Sequence, residues 1–76
     1  MIEKKVSLNT IDKVKKFVEI ISRFDCDADI AAGRYVIDAK SIMGLFSLNL
    51  FDPLKLTIHE DKAPELLEAI KEFVIE

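Results

Sequence analysis

Hydrophobic and polar positions alternate weakly from Ile2 to Leu8, with Val6 and Leu8 on one side and Lys5 and Ser7 on the other. This is the period of a strand that tolerates an edge position. The period changes after Asn9 and Thr10, either of which can cap a helix, with Asp12 in the first turn. Ile11, Val14, Phe17, Val18, Ile21 and Phe24 follow at spacings of three and four, while Lys13, Lys15, Lys16, Glu19 and Arg23 take the other side. That pattern predicts an amphipathic helix. Asp27 to Ala32 alternates again, Gly33-Arg34 supplies a turn, and Tyr35-Val36-Ile37 is β-prone. The two runs read as a hairpin.

The apolar stretch from Lys40 to Leu48 predicts one or two helical turns capped by Ser41, with Asn49 ending them in the left-handed conformation. Asp52-Pro53 marks a turn. Leu54, Leu56 and Ile58 alternate with Lys55, Thr57 and His59 as a half-buried strand. A last helix is predicted with Asp61 as its cap, Pro64 in its first turn, and Leu66, Leu67, Ile70, Phe73 and Val74 as its buried face. The order β-α-β-β-α-β-α implies a two-layer α+β domain with helices on one face of a four-stranded sheet. Periodicity does not give the strand order.

Composition narrows the functional classes. The chain has 76 residues, half of them hydrophobic. That suits one domain, residues 1–76, with one core and no deep enclosed pocket. The net charge of −3 gives no basic footprint for nucleic acid. No stretch approaches the ~18 apolar residues of a membrane span, and the early charges Glu3, Lys4 and Lys5 do not fit a signal peptide. The single cysteine, Cys26, permits no internal disulfide and no Cys-X-X-Cys zinc pair. A cytoplasmic protein is expected.

Candidate chemistry is sparse. His59, the one histidine, falls on the open sheet face without a second ligand, which makes a poor metal site and a good surface hydrogen-bonding residue. Asp25-Cys26-Asp27-Ala28-Asp29 opens with the rhythm of a calcium loop. The sixth position is then Ile30 instead of glycine and the twelfth is Val36 instead of glutamate. Asp25 and Asp27 flank Cys26, and negative charge disfavours the reactive thiolate. No catalytic, metal or cofactor motif remains, so the chain is expected to act by being bound. Ser41 stands out. A helix-capping hydroxyl is worth ~1 kcal/mol, and a phosphate there would lie at a helix start beside Lys40 and the apolar Ile42, Met43 and Phe46.

Asp38-Ala39-Lys40-Ser41-Ile42-Met43-Gly44-Leu45-Phe46-Ser47-Leu48 resembles the regulatory-serine segment of the phosphocarrier protein HPr family of the bacterial sugar phosphotransferase system, in its Gram-positive form. Ser22 to Ala32 is similar to the end of the family's first helix and its second strand, and Leu54 to Ile58 to its fourth strand. The pattern runs from Val6 to Ile58 without insertion or deletion. The turn before the last helix is shorter by about two residues. The resemblance implies an HPr-like open-faced β-sandwich, a four-stranded antiparallel sheet with three helices on one face.

One segment departs from the family. Where the family has Gly-Ile/Leu-His-Ala/Thr-Arg-Pro, this chain has Leu8-Asn9-Thr10-Ile11-Asp12-Lys13. Thr10 matches the phosphocarrier histidine, Asp12 the arginine and Lys13 the proline. A threonine hydroxyl forms no labile phosphorus–nitrogen bond, and Asp12 repels a phosphoryl group. Phosphocarrier activity is therefore expected to be absent. The resemblance leaves Ser41 as a phosphorylation site for an HPr kinase/phosphorylase, with Lys40, Ile42, Met43 and Phe46 as the contact surface for a protein partner such as a catabolite control regulator. Asp12 weakens the case for that regulator, since the family's arginine lies beside the phosphoserine patch. The alternative is a phosphorylation-independent binding module that keeps the fold. Monomer and homodimer both remain open.

Overall fold

A computed structural model describes residues 1–76. Seven elements follow one another: β1 (Ile2–Val6), α1 (Ile11–Ile21), β2 (Ala28–Ala32), β3 (Tyr35–Asp38), α2 (Ile42–Phe46), β4 (Leu54–Ile58) and α3 (Pro64–Ala69). The element order is the one that periodicity predicts. The strands form one antiparallel sheet in the order β1-β4-β2-β3, which periodicity leaves open. β4, the last strand in sequence, thus enters the middle of the sheet. It pairs Ile58 with Ile2 on one side and with Ala28 on the other.

Alternation decides which side of the sheet is covered. Leu54, Leu56 and Ile58 of β4 and Ala28 and Ile30 of β2 are buried beneath the helices, together with Val14, Phe17 and Ile21 of α1, Leu45 of α2, and Leu66 of α3. Lys55 and Thr57 take the opposite, open face with Asp29. The buried set holds no polar or charged residue. The rings of Phe17 and Phe73 meet edge to face at 5.6 Å, a favoured aromatic geometry.

Four details differ from the sequence reading. Ile11, assigned to the apolar stripe of α1, is 63% exposed, because it opens the first turn and the buried stripe starts one turn later at Val14. Asn49 does not adopt a positive φ, and no residue other than Gly33 does. α2 ends on Ser47 in the right-handed region, and the Asn49 side chain accepts from the Phe51 N–H at 3.2 Å instead. Asp61 does not cap α3. The cap position is Ala63, with no side-chain hydrogen bond, and Pro64 at the first helical position lacks the N–H that a cap would satisfy. Finally, α3 stops at Ala69, so Phe73 and Val74 belong to the tail rather than to a helical face. That tail folds against β1. Val74 bridges Val6, the Ser7 N–H donates to the Phe73 carbonyl at 2.8 Å, and the Ile75 N–H donates to the Lys5 carbonyl at 2.8 Å.

Candidate functional site

Ser41 sits where β3 hands over to α2. Its backbone is extended (φ −93°, ψ 94°) and its N–H donates to the Asp38 carbonyl at 2.9 Å. The Ser41 carbonyl already accepts the first helical bond, from Leu45 at 3.0 Å. Its Oγ accepts from the Gly44 N–H at 3.3 Å, the N-cap geometry that a serine at this position supplies. The residue is exposed. α2 is short, and it is held by Leu45, which is fully buried, and by contact with α1 and β3.

The four residues around Ser41 divide in two. Met43 is 77% exposed and Phe46 is at the margin of exposure. Ile42 is half-buried and packs against the core. Lys40 turns away from the serine: its Nζ donates to the Phe24 carbonyl at 2.6 Å, just past the C-terminal end of α1. The apolar surface beside Ser41 is therefore Met43 with Phe46, and Lys40 ties α2 to α1. Phe51, in the loop before β4, is 87% exposed. Sequence reading missed it, although a phenylalanine directly before the Asp52-Pro53 turn has no periodic partner to bury it.

Thr10, which the resemblance sets against the phosphocarrier histidine, caps α1. Its Oγ1 accepts from the Lys13 N–H at 3.1 Å. Lys13 Nζ donates to Asn9 Oδ1 at 3.1 Å, and Lys16 pairs with Glu72 at 3.1 Å. Asp12 lies exposed in the first turn. The corner is an ordinary capped helix start in which Lys13 and Lys16 are already partnered. His59 is on the surface, 2.6 Å from Asp29 Oδ2, as a hydrogen-bonding residue on the sheet rim. Cys26 is half-buried against the core, and Asp25 and Asp27 beside it are exposed. No helix is long and apolar enough to cross a membrane.

Comparison with known proteins adds to this geometry. No curated protein sequence matches the chain. Solved structures do. The phosphocarrier protein HPr of Bacillus anthracis is 29% identical with a TM-score of 0.75, over 96% of this chain and 95% of that one. The catabolite repression protein Crh of Bacillus subtilis, an intertwined dimer with a swapped domain, is 28% identical with a TM-score of 0.66, over 95% and 88%. HPr-C-His of Thermoanaerobacter tengcongensis has a TM-score of 0.78 at 24% identity, over 95% and 89%, a likeness of fold. The family model described as the PTS HPr component phosphorylation site matches residues 12–76, beginning just after Thr10. With the open-faced sheet and three helices already in place, that match over most of the chain settles its membership: it belongs to the HPr family of the phosphotransferase system.

Proposed function

We propose that this chain is a regulatory, histidine-less HPr-like protein of carbon catabolite control, phosphorylated on Ser41 and read by a protein partner. The observation that carries the reading is the exposed Ser41 at the N-cap of α2, next to the exposed Met43 and Phe46. A kinase can reach that residue without opening the core. Phosphorylation replaces one acceptor oxygen with several, so the Gly44 N–H keeps a partner while charge appears at the edge of an apolar surface. Lys40 contributes by anchoring α2 to the end of α1 through Phe24, which keeps Ile42, Met43 and Phe46 in place. The partners fitting this reading are an HPr kinase/phosphorylase and a regulator that prefers the phosphoserine form. The protein acts in the cytoplasm, as a bound component and not an enzyme.

The phosphocarrier branch is closed in this reading because Thr10 spends its hydroxyl on the cap and Asp12 adds negative charge beside it. Incubation with enzyme I and phosphoenolpyruvate should leave the intact mass unchanged. Incubation with a Gram-positive HPr kinase and ATP should add one phosphoryl group to the wild type and none to Ser41→Ala. Absence of phosphate on the wild type would overturn the proposal. It would favour a phosphorylation-independent binding module, a reading to which the rebuilt Asn9-Thr10-Lys13 corner also lends weight.

A further inference from the structure

The two edges of the sheet are not alike. β1 is partly covered by the C-terminal tail, which takes up the Lys5 and Ser7 N–H groups. β3 has nothing beside it. Its pairing with β2 fixes which of its backbone groups are free. The Ala39 N–H donates to the Ala28 carbonyl, and the register pairs Ile37 with Ile30 and Tyr35 with Ala32. By the alternation of antiparallel ladders, Tyr35 and Ile37 turn their N–H and C=O groups to β2, whereas Val36 turns both outward. Val36 is 64% exposed and Tyr35 68% exposed. An edge of this kind is a template for another strand.

The charges say which strand. The segment reads Arg34-Tyr35-Val36-Ile37-Asp38. It is complementary to itself when reversed about Val36. Arg34 takes part in none of the ion pairs of the molecule. Asp38 faces Asp29 directly across the β2–β3 ladder. Two carboxylates opposite each other destabilise a sheet; Asp29 is engaged with His59, whereas Asp38 has only the Lys40 N–H on its Oδ1 at 2.9 Å and no cationic side chain. A cation delivered to Asp38 from outside would relieve that pair.

We propose that β3 pairs with β3 of a second copy of this chain, antiparallel about a two-fold axis at Val36, to make one continuous eight-stranded sheet. Val36 exchanges both backbone hydrogen bonds with its counterpart. Tyr35 faces Ile37 of the other copy, and Arg34 faces Asp38, twice over. The arrangement is isologous and closes at two.

Sedimentation velocity over a concentration series tests this, with amide hydrogen exchange as a second readout. The wild type should pass from 8.6 kDa to twice that mass. Arg34→Asp sets carboxylate against carboxylate and should weaken association by at least about tenfold. Arg34→Asp/Asp38→Arg should restore it. In the wild type, the Val36 amide should exchange more slowly as concentration rises while the Tyr35 and Ile37 amides do not change. A monomer at every concentration overturns the proposal. So does a dimer indifferent to Arg34→Asp, a double variant that fails to recover, or a dimer in which the Val36 amide stays unprotected. If Asp38→Arg impairs folding, seen by circular dichroism, the wild-type exchange series and Arg34→Asp decide the matter alone.

Discussion

A methyl group at Gly44 would sit 2.5 Å from Ile37 Cγ2 and 2.9 Å from Ser41 Oγ. Glycine is needed there for space: α2 lies so close to β3 that hydrogen is the only side chain that fits. Gly44→Ala must push α2 off Ile37 and disturb the serine cap at once, and should cost about 1–3 kcal/mol as overpacking does. A urea midpoint equal to wild type would show that Ile37 gives way freely. The same approach fixes Ser41 as a cap that still faces solvent. Its backbone is fixed by the Asp38 carbonyl and its oxygen by the Gly44 N–H, yet the residue itself is exposed. Thr10 is the parallel case on α1, and Thr10→Ala should lower stability by about 1 kcal/mol through loss of the Lys13 N–H acceptor, measured by thermal or urea unfolding. Much of the candidate site was legible at this scale, since a serine before an apolar helical run already reads as a cap. The direction of Lys40 was not. Its tie to the Phe24 carbonyl joins residues sixteen apart in sequence, and periodicity carries no information about such a contact.

At the scale of elements, the β2–β3 hairpin shows a different demand for glycine. Gly33 has φ +58° and nothing within 4 Å of where a Cβ would be. Positive φ at the first turn residue and not at Arg34 is the pattern of a two-residue II′ turn. The penalty for Gly33→Ala is thus purely conformational, about 1–2 kcal/mol, and Gly33→Asn should cost less because Asn accepts such turns better. Equal penalties from the two variants in chemical unfolding would contradict a conformational origin. The hairpin, α1, α2 and β4 could all be read from the sequence because each carries its own period and turn chemistry. The strand order could not, because placing β4 between β1 and β2 depends on which apolar faces pack together and not on any local signal. The misread ends share a cause. Asp61 and Asn49 have the residue types of caps, but Ala63-Pro64 and Ser47 occupy the capping positions. Val74 has helical spacing from Ile70, yet it is drawn off to bridge Val6 on the sheet edge.

The molecule as a whole is held by apolar burial. Its sixteen buried residues are all hydrophobic and form one cluster. Every ion pair, from Lys5–Glu76 to Lys71–Glu68, joins exposed side chains, and such pairs are worth roughly 0–1 kcal/mol each. Stability should therefore depend weakly on salt and strongly on the few large side chains that several elements share. Phe73 is the sharpest example. It follows α3, its ring stands edge-on to Phe17 of α1, and its carbonyl receives the Ser7 N–H beside β1. One residue thus links two helices to the tail that covers a sheet edge. Truncating a buried phenylalanine costs about 3–5 kcal/mol. That rivals the ~3–5 kcal/mol that a core in a domain under ~70–80 residues supplies. Phe73→Ala should accordingly be largely unfolded at room temperature, and Phe73→Leu folded with a lowered urea midpoint. The Phe17→Leu/Phe73→Leu double variant should lose less than the sum of the single losses, by about 0.5–1.5 kcal/mol, because the ring pair is lost once. Strict additivity would mean that the two rings do not meet in solution. A wild-type midpoint for Phe73→Ala would mean that the tail is frayed from β1, which would leave both edges of the sheet open to pairing instead of β3 alone.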